Sequence, residues 1–325
     1  MTKKKDNKQY GKPRYDKDKP RYDKDKPHTE RANKPVSKPK PTANGDVGGD
    51  VVEINWFPGH MTRASRDIAA EKADITAVVT DSRCPKASNC TAITNTTLVI
   101  LNKSDLADEY VTKLWAEHYR ALGAAVLVSD SKNGTGIAKF QNAINTVLAE
   151  KLSFKKAKGI KYIPYVIITG IPNSGKSSFI NKLSGGKKAA VSDRPGVTRA
   201  RRQINCNDFV LIDTPGVLPK KLNGGTALKL AWTGAVKDTV YDTTLIAEKL
   251  GQYLFDNYPT ELSQRYKVTA PLPPTPEYPI LTAISYNRGF LIQGGNPDIG
   301  RAAAILLDEF RGGKIGKITL EIPKT

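Results

Sequence analysis

Residues 165–183 read YVIITGIPNSGKSSFINKL, and the fold is decided in this stretch. Val166, Ile167, Ile168 and Thr169 form a largely β-branched run, which favours a strand. Phe179, Ile180 and Leu183 recur at helical spacing. Between them lie Gly170-Ile171-Pro172-Asn173-Ser174-Gly175-Lys176-Ser177 and then Ser178, which satisfy G-x-x-x-x-G-K-[ST] at every fixed position. The glycines let backbone N–H groups close around a phosphate, and the new helix turns its positive end to the same anion. Lys176 can reach the β- and γ-phosphates, and the Ser177 hydroxyl can take a site on Mg2+. The plainer alternative is a Gly-rich turn that binds nothing; a strand before it and a helix after it argue for the phosphate loop.

The chain around this loop has 325 residues, enough for two domains, and a formal charge of +19, which favours a polyanionic partner, nucleic acid before membrane. No apolar run reaches the roughly 18 residues that would span a bilayer. The N-terminus lacks the apolar core of a signal peptide. Three cysteines, Cys84, Cys90 and Cys206, with no paired C-x-x-C, suggest a reducing compartment and no zinc site. The expectation is a soluble, cytoplasmic protein.

Residues 1–50 carry 15 Lys and Arg against 8 Asp and Glu, and PRYDKDK occurs in tandem at 13–19 and 20–26. So little apolar surface cannot offset ordering entropy, so a disordered basic arm is expected. With Tyr10, Tyr15 and Tyr22 interleaved, it is either an RNA-contacting arm or a solubilising tail. A helix is expected through about Lys72, then strands at Ile75–Thr80, Thr97–Leu101 and Ala125–Val128. A polar loop is expected at 81–95, and helices at Tyr110–Leu122 and Ile137–Leu152, the second ending in a basic linker, 155–161. Past the phosphate loop, Gln203–Asn207 reads as an edge strand and Phe209–Ile212 as a buried one. This alternation predicts a parallel sheet with right-handed crossovers. Beyond residue 222 the pattern is helical: Leu228, Ala231, Trp232, Ala235 and Val236 share a face, as do Ile246, Leu250, Tyr253 and Leu254, and Ile299, Ala302, Ala303, Leu306 and Phe310.

Two further strand ends carry chemistry. Asn102-Lys103-Ser104-Asp105 matches N-K-x-D, whose carboxylate can accept from the N1 and N2 donors of guanine, a pattern adenine does not offer. Asp213-Thr214-Pro215-Gly216 matches D-x-x-G: Asp213 would hold Mg2+ through water, and the Gly216 N–H would sense a γ-phosphate. Thr198, in Arg194-Pro195-Gly196-Val197-Thr198, is the expected second hydroxyl on Mg2+, on a loop ordered by triphosphate. Four residues matching N-K-x-D are weak evidence alone; joined to the phosphate loop and D-T-P-G, each at the carboxyl end of a strand where α/β ligands bind, they are strong.

Their order is rotated, with N-K-S-D (102–105) before G-K-S (175–177) before D-T-P-G (213–216). The chain therefore resembles the circularly permuted GTPases, and within them the ribosome biogenesis GTPase A family, assembly factors of the large ribosomal subunit. The resemblance covers residues 53–322 and rests on INWFPGHM (54–61), NKSD, GIPNSGKSS (170–178), DRPGVT (193–198), DTPGV (213–217) and GKIGKITLE (313–321). It implies a circularly permuted P-loop GTPase domain of α/β class at 51–222, followed by a small all-α RNA-binding domain at 223–325. The guanine-supporting S-A-K motif appears as Ser129-Asp130-Ser131-Lys132, so either Asp130 or Ser131 offers the relevant N–H. Arg83-Cys84-Pro85 departs from the apolar residue that relatives carry before the proline, a change given little weight.

Many GTPases orient the attacking water with a glutamine after D-x-x-G; here that position is Val217, so intrinsic hydrolysis should be slow. The resemblance implies that His60 does this work, beside Lys176 and Thr198, although His60 packed between Trp56 and Met61 is the bland alternative. Asn173 resembles the asparagine that helps to hold K+ in potassium-stimulated GTPases. Expected partners are GTP and GDP, rRNA, and the large subunit with its precursors; candidate phosphate contacts include Lys220, Lys221, Lys229, Lys237, Arg265, Lys267, Arg288, Arg301 and Arg311, most of which could equally be solvated surface charge. A small-subunit permuted GTPase is disfavoured because no Cys/His zinc cluster is present. A nucleotide-gated RNA-binding placeholder with incidental hydrolysis is the alternative from another class.

Overall fold

The computed structural model describes residues 73–89, 96–185, 202–218, 222, 224–275 and 277–324, with the backbone alone at Arg202. The basic arm, the phrase at 54–61 with His60, Cys90, the loop with Thr198, and Lys220 and Lys221 lie outside these residues. Six strands form one sheet: β1 (Ile75–Asp81), β2 (Leu98–Asn102), β3 (Ala125–Val128), β4 (Tyr165–Gly170), β5 (Arg202–Cys206) and β6 (Phe209–Asp213). Their order is β3-β2-β1-β4-β6-β5, with every pairing parallel except β5 against β6. From β1 the chain steps to one side through β2 and β3; from β4 it steps to the other. The switch point of an open α/β sheet, where ligands bind beyond the carboxyl ends of strands, thus falls between β1 and β4.

Alternation along the strands sorts their side chains onto two faces. Val166 and Ile168 of β4 and Leu211 of β6 join one core with Phe140, Ile144, Phe179 and Ile180. Val99 and Leu101 of β2 face the other way, against Trp115 and Tyr119. Helix α1 (Pro85–Ser88) is one turn, and α2 (Glu109–Ala121) is capped by Asp108, whose carboxylate accepts from the Val111 N–H at 2.9 Å. The expected helix over 137–152 is broken: a 3-10 turn, Ile137–Lys139, leads into α3 (Phe140–Val147), and α4 (Ala149–Ala157) restarts after Leu148, which leaves helical dihedrals at φ −104° and ψ 15°. Because α4 runs to Ala157, the join that reconnects the rotated halves is shorter than the expected linker. It is fixed by Asp74, which accepts from the Tyr165 N–H at 2.7 Å and pairs with Lys151 and Tyr162.

After α5 (Lys176–Leu183) and the β5–β6 hairpin come α6 (Gly224–Trp232), α7 (Thr243–Asn257), α8 (Pro259–Tyr266), α9 (Pro279–Arg288) and α10 (Ile299–Arg311). The periodicity at Leu228, Ala231 and Trp232 ends at Trp232, with Gly234 at φ +76° two residues on, so Ala235 and Val236 are buried from a turn and not from a helix. Helices α7 and α9 cross closely: a Cβ on Gly251 would lie 2.5 Å from Ile280. Buried Glu248 on α7 accepts the Ile280 and Leu281 N–H groups, both at 3.0 Å, capping α9 from a neighbouring helix. The helices' core does not stop at residue 222: Ile167 and Ile212 from the sheet and Ile171 from the phosphate loop belong to the same cluster as Leu228, Trp232, Leu250 and Leu306.

Several of the candidate phosphate-contacting residues are engaged in ion pairs at the rim of these helices. Arg265 and Arg288 pair with Glu309, Arg311 pairs with Asp238, and Lys229 with Glu321. The Arg265 hydrogen bond holds the Glu309 carboxyl below its ordinary range, against the opposing effect of burial. Lys237, Lys267 and Arg301 remain on the surface.

Candidate functional site

Three loops meet beyond the carboxyl ends of the parallel strands, around a cleft of about 600 Å3 bordered by Lys103, Asn173, Lys176, Ser177, Asp213 and Gly216. The phosphate loop follows β4, where Gly170 must stay small because a Cβ would sit 2.5 Å from the Val79 carbonyl. Asn173 is left-handed at φ +58° and Gly175 at φ +91°, which curls the loop before α5 begins at Lys176. Lys176 pairs with Asp213, so the two charges expected at phosphate and metal neutralise each other across the cleft. Gly216 brings the D-T-P-G turn against Pro172, with a Cβ position only 3.0 Å from its nitrogen. Ser177 and Ser178 are exposed on the first turn of α5. Ser177 and Asp213 offer hard oxygen donors beside the phosphate cradle, a set that fits Mg2+ completed by phosphate and water. Among the described residues, no cluster of three His, Cys, Asp or Glu could hold a metal by itself.

Val217 is 1% exposed, and its N–H donates to the Gly170 carbonyl at 3.1 Å. This side chain belongs to the core and does not face the cleft. The described residues therefore supply no water-orienting group after D-x-x-G.

Asn102 staples the site together. Its Nδ2 donates to the Ser174 carbonyl at 2.8 Å, while its Oδ1 accepts from the Ser129 hydroxyl at 3.1 Å, the Ser131 N–H at 3.1 Å and the Ser131 hydroxyl at 2.6 Å. Asp130 closes its own turn, accepting from the Lys132 and Asn133 N–H groups, and its N–H goes to the Thr135 carbonyl at 3.0 Å. The two candidates for the S-A-K position are thus distinct: Ser131 is bonded to the N-K-x-D asparagine, and Asp130 braces the loop. Asp105 sits on the 3-10 turn Ser104–Leu106, which is fixed by the Ser104 N–H to the Ser129 carbonyl at 3.1 Å. Burial, and then the neighbouring Asp130 charge, push the Asp105 carboxyl up from its ordinary value. Asn173, exposed at the loop tip, donates from Nδ2 to the Gly234 carbonyl at 2.7 Å, which ties the phosphate loop to the helical region. His118 lies on α2, edge-on to Trp115 at 5.3 Å, away from these loops.

Sequence reasoning missed two features. The first is the loop after β1, expected to be polar and of little weight: Asp81 and Arg83 are each 1% exposed, and Asp81 pairs with both Arg83 and Lys103 at 2.9 Å. An acid and a base at the end of an apolar strand, at the switch point, were the available signal. The second is the segment 313–321, which serves as a strap. Its Ile318 N–H donates to the Leu106 carbonyl at 3.1 Å, its Thr319 hydroxyl accepts the Asp108 N–H at 2.9 Å, and its Leu320 N–H donates to the Arg83 carbonyl at 2.7 Å. Glu321 then caps α1 through the Lys86 N–H at 2.7 Å.

The sequence model of the 50S ribosome-binding GTPase family matches residues 165–249. Ribosome biogenesis GTPase A of Priestia megaterium is 37% identical over 281 residues, spanning 83% of this chain and 97% of that protein. The Thermotoga maritima protein of the same name is 29% identical, over 83% of this chain and 95% of its own length. Among solved structures, the crystal structure of GNP-bound YlqF from T. maritima aligns with a TM-score of 0.55 at 26% identity, covering 82% of this chain and 99% of that one.

Proposed function

The chain belongs to the ribosome biogenesis GTPase A family, and from that premise we propose that it acts as a GTP-switched assembly factor of the large ribosomal subunit, binding rRNA. It is a GTPase of circularly permuted P-loop fold, in a family of enzymes that use Mg2+. The observation that carries the finer reading is that Lys103, the phosphate loop and 213–216 border one cleft, with Asn102 bonded to the phosphate loop at Ser174 and that loop bonded to the helical region through Asn173 and Gly234. A γ-phosphate at that loop then acts directly on the helices that would meet RNA. The large-subunit assignment is supported by the description of the matched family, and the rRNA assignment by the charge of +19.

In this reading Asn173, Ser174, Gly175, Lys176, Ser177 and Ser178 cradle the phosphates, with the Gly216 N–H beside the γ-phosphate. Asp105 takes the guanine edge, with Asn102, Lys103, Ser129, Asp130 and Ser131 shaping that pocket. Ser177, Asp213 and Thr198 would hold Mg2+, which supplies positive charge to the phosphate oxygens. His60 orients the attacking water. No helix among the described residues is long and apolar enough to cross a membrane, and we place the protein's work in the cytoplasm.

Co-sedimentation with large subunits tests the switch. Binding is expected with a non-hydrolysable GTP analogue, to weaken steeply with salt, and to fall with GDP. Equal binding in both nucleotide states rejects the switch. A His60→Ala protein that no longer turns over GTP yet still supports subunit assembly favours the placeholder alternative.

The K+ assignment concerns Asn173. Its bond to Gly234 uses Nδ2, leaving Oδ1 available as a hard oxygen donor. Hydrolysis is expected to be faster in K+ than in Na+ buffer; equal rates remove this role.

A further inference from the structure

Asp81 is a carboxylate buried at the switch point between β1 and β4, and its surroundings are unusual for a residue outside the recognised nucleotide motifs. Arg83 grips it with two parallel bonds, Nε to Oδ1 at 3.0 Å and Nη2 to Oδ2 at 2.9 Å, and the Arg83 N–H adds a third at 3.0 Å. Lys103, the lysine of N-K-S-D, places its ammonium on Oδ2 at 2.9 Å. The remaining Arg83 nitrogen, Nη1, donates to the Phe310 and Arg311 carbonyls at 3.3 and 3.4 Å. Those carbonyls close α10, and the end of a helix carries partial negative charge that a guanidinium satisfies.

Two cations share one anion here, so the group retains a positive charge where Lys103 borders the cleft. The Lys103 stem crosses the phosphate loop, its Cε 3.9 Å from the position a Cβ would take on Gly175. A lysine free at its tip would lose that placement to rotamer entropy. Held by a buried carboxylate, it forms a fixed wall. A carboxylate so buried would itself be costly without Arg83, because an uncompensated charge inside a protein is strongly destabilising.

We propose that Asp81 and Arg83 are positioning residues for the nucleotide: Arg83, braced on the last carbonyls of α10, holds Asp81, and Asp81 holds Lys103 against the bound nucleoside. The relay gives the helical region a direct grip on the base side of the site, separate from the Asn173 contact on the phosphate side. It rests on the reading that Asn102–Asp105 faces the base.

Calorimetric titration of the full chain with GDP tests the relay by a double-mutant cycle. Asp81→Asn keeps the shape and removes the charge, and is expected to weaken GDP binding about tenfold in the wild-type background but by no more than about twofold in a Lys103→Met background. Equal losses in the two backgrounds, or no loss from Asp81→Asn alone, overturn the proposal, because a general structural defect would not depend on Lys103. Arg83→Lys, which keeps a positive charge beside Asp81, should recover most of the affinity lost in Arg83→Met; equal loss in both removes Arg83 from the relay. Asp105→Asn serves as the separate control: if it leaves GDP affinity intact, the base site itself has been misread, whatever the cycle returns.

Discussion

Asp105→Asn is expected to turn nucleotide preference from guanosine toward xanthosine diphosphate, lowering GDP affinity on the order of a hundredfold or more. Two hydrogen bonds to a charged carboxylate are at stake, each worth roughly 1.5–3 kcal/mol. An amide at the same position presents one donor and one acceptor, the pattern that matches the 2-oxo and N1–H of xanthine. The structure supports a clean exchange because the turn is held by its backbone, through the Ser104 and Ile318 N–H groups, and not by the Asp105 side chain. Competition titration with GDP, XDP and ADP checks it, and an unchanged ranking rejects the assignment.

A pH dependence accompanies this prediction. Burial and Asp130 raise the Asp105 carboxyl, so in the free protein its ionised form costs stability. That stabilising contribution of the protonated form is present below the ordinary aspartate value and is lost as pH rises through the raised one. Guanine needs the ionised form. GDP affinity should therefore climb across this same window and flatten above it, and Asp105→Asn should abolish the climb.

Gly175→Ala should be as damaging by a different route. The residue is at φ +91°, and a Cβ there would lie 2.2 Å from Asn102 Nδ2. Backbone strain alone costs about 1–2 kcal/mol in the left-handed region. The clash adds the loss of the Asn102 bond to Ser174, and with it the orientation of the acceptor shared by Ser129 and Ser131. Phosphate and base loops are disconnected together, and GDP affinity should fall by about two orders of magnitude or more. Gly185→Ala is the control: it is also left-handed, at φ +61°, but has nothing within 4 Å, so it should lower the melting temperature slightly and leave affinity unchanged.

What was legible in the sequence was what local spacing encodes. The strand-loop-helix of 165–183, the asparagine of N-K-S-D and the D-T-P-G turn each place their chemistry within a few residues, and their rotated order announced the permutation. The breaks were harder. Nothing at Leu148 marks the end of α3, because neither Gly nor Pro interrupts the run, and tertiary packing decides it. Helices α8 and α9 were missed although Pro259 and Pro279 each stand at a first helical position, a signal that was there to use. The contact of Arg83 with the helical region was unreadable for a different reason: its partners Phe310 and Arg311 are separated from it by 227 and 228 residues. No periodicity reports a contact of that span. His60 and Thr198, drawn from motif and resemblance, lie outside the described residues.

The continuity of one apolar cluster from Ile167 and Ile212 into Leu228, Trp232 and Leu250 limits how the two halves can move. A hinge swing would open that interface to water and forfeit close-packed contacts on both sides. Sliding of packed helices by an ångström or two keeps the contacts while shifting one surface against the other. Nucleotide exchange in this protein should therefore be transmitted as shear, with a small stroke at the phosphate loop and a displacement of similar size at the far ends of the helices.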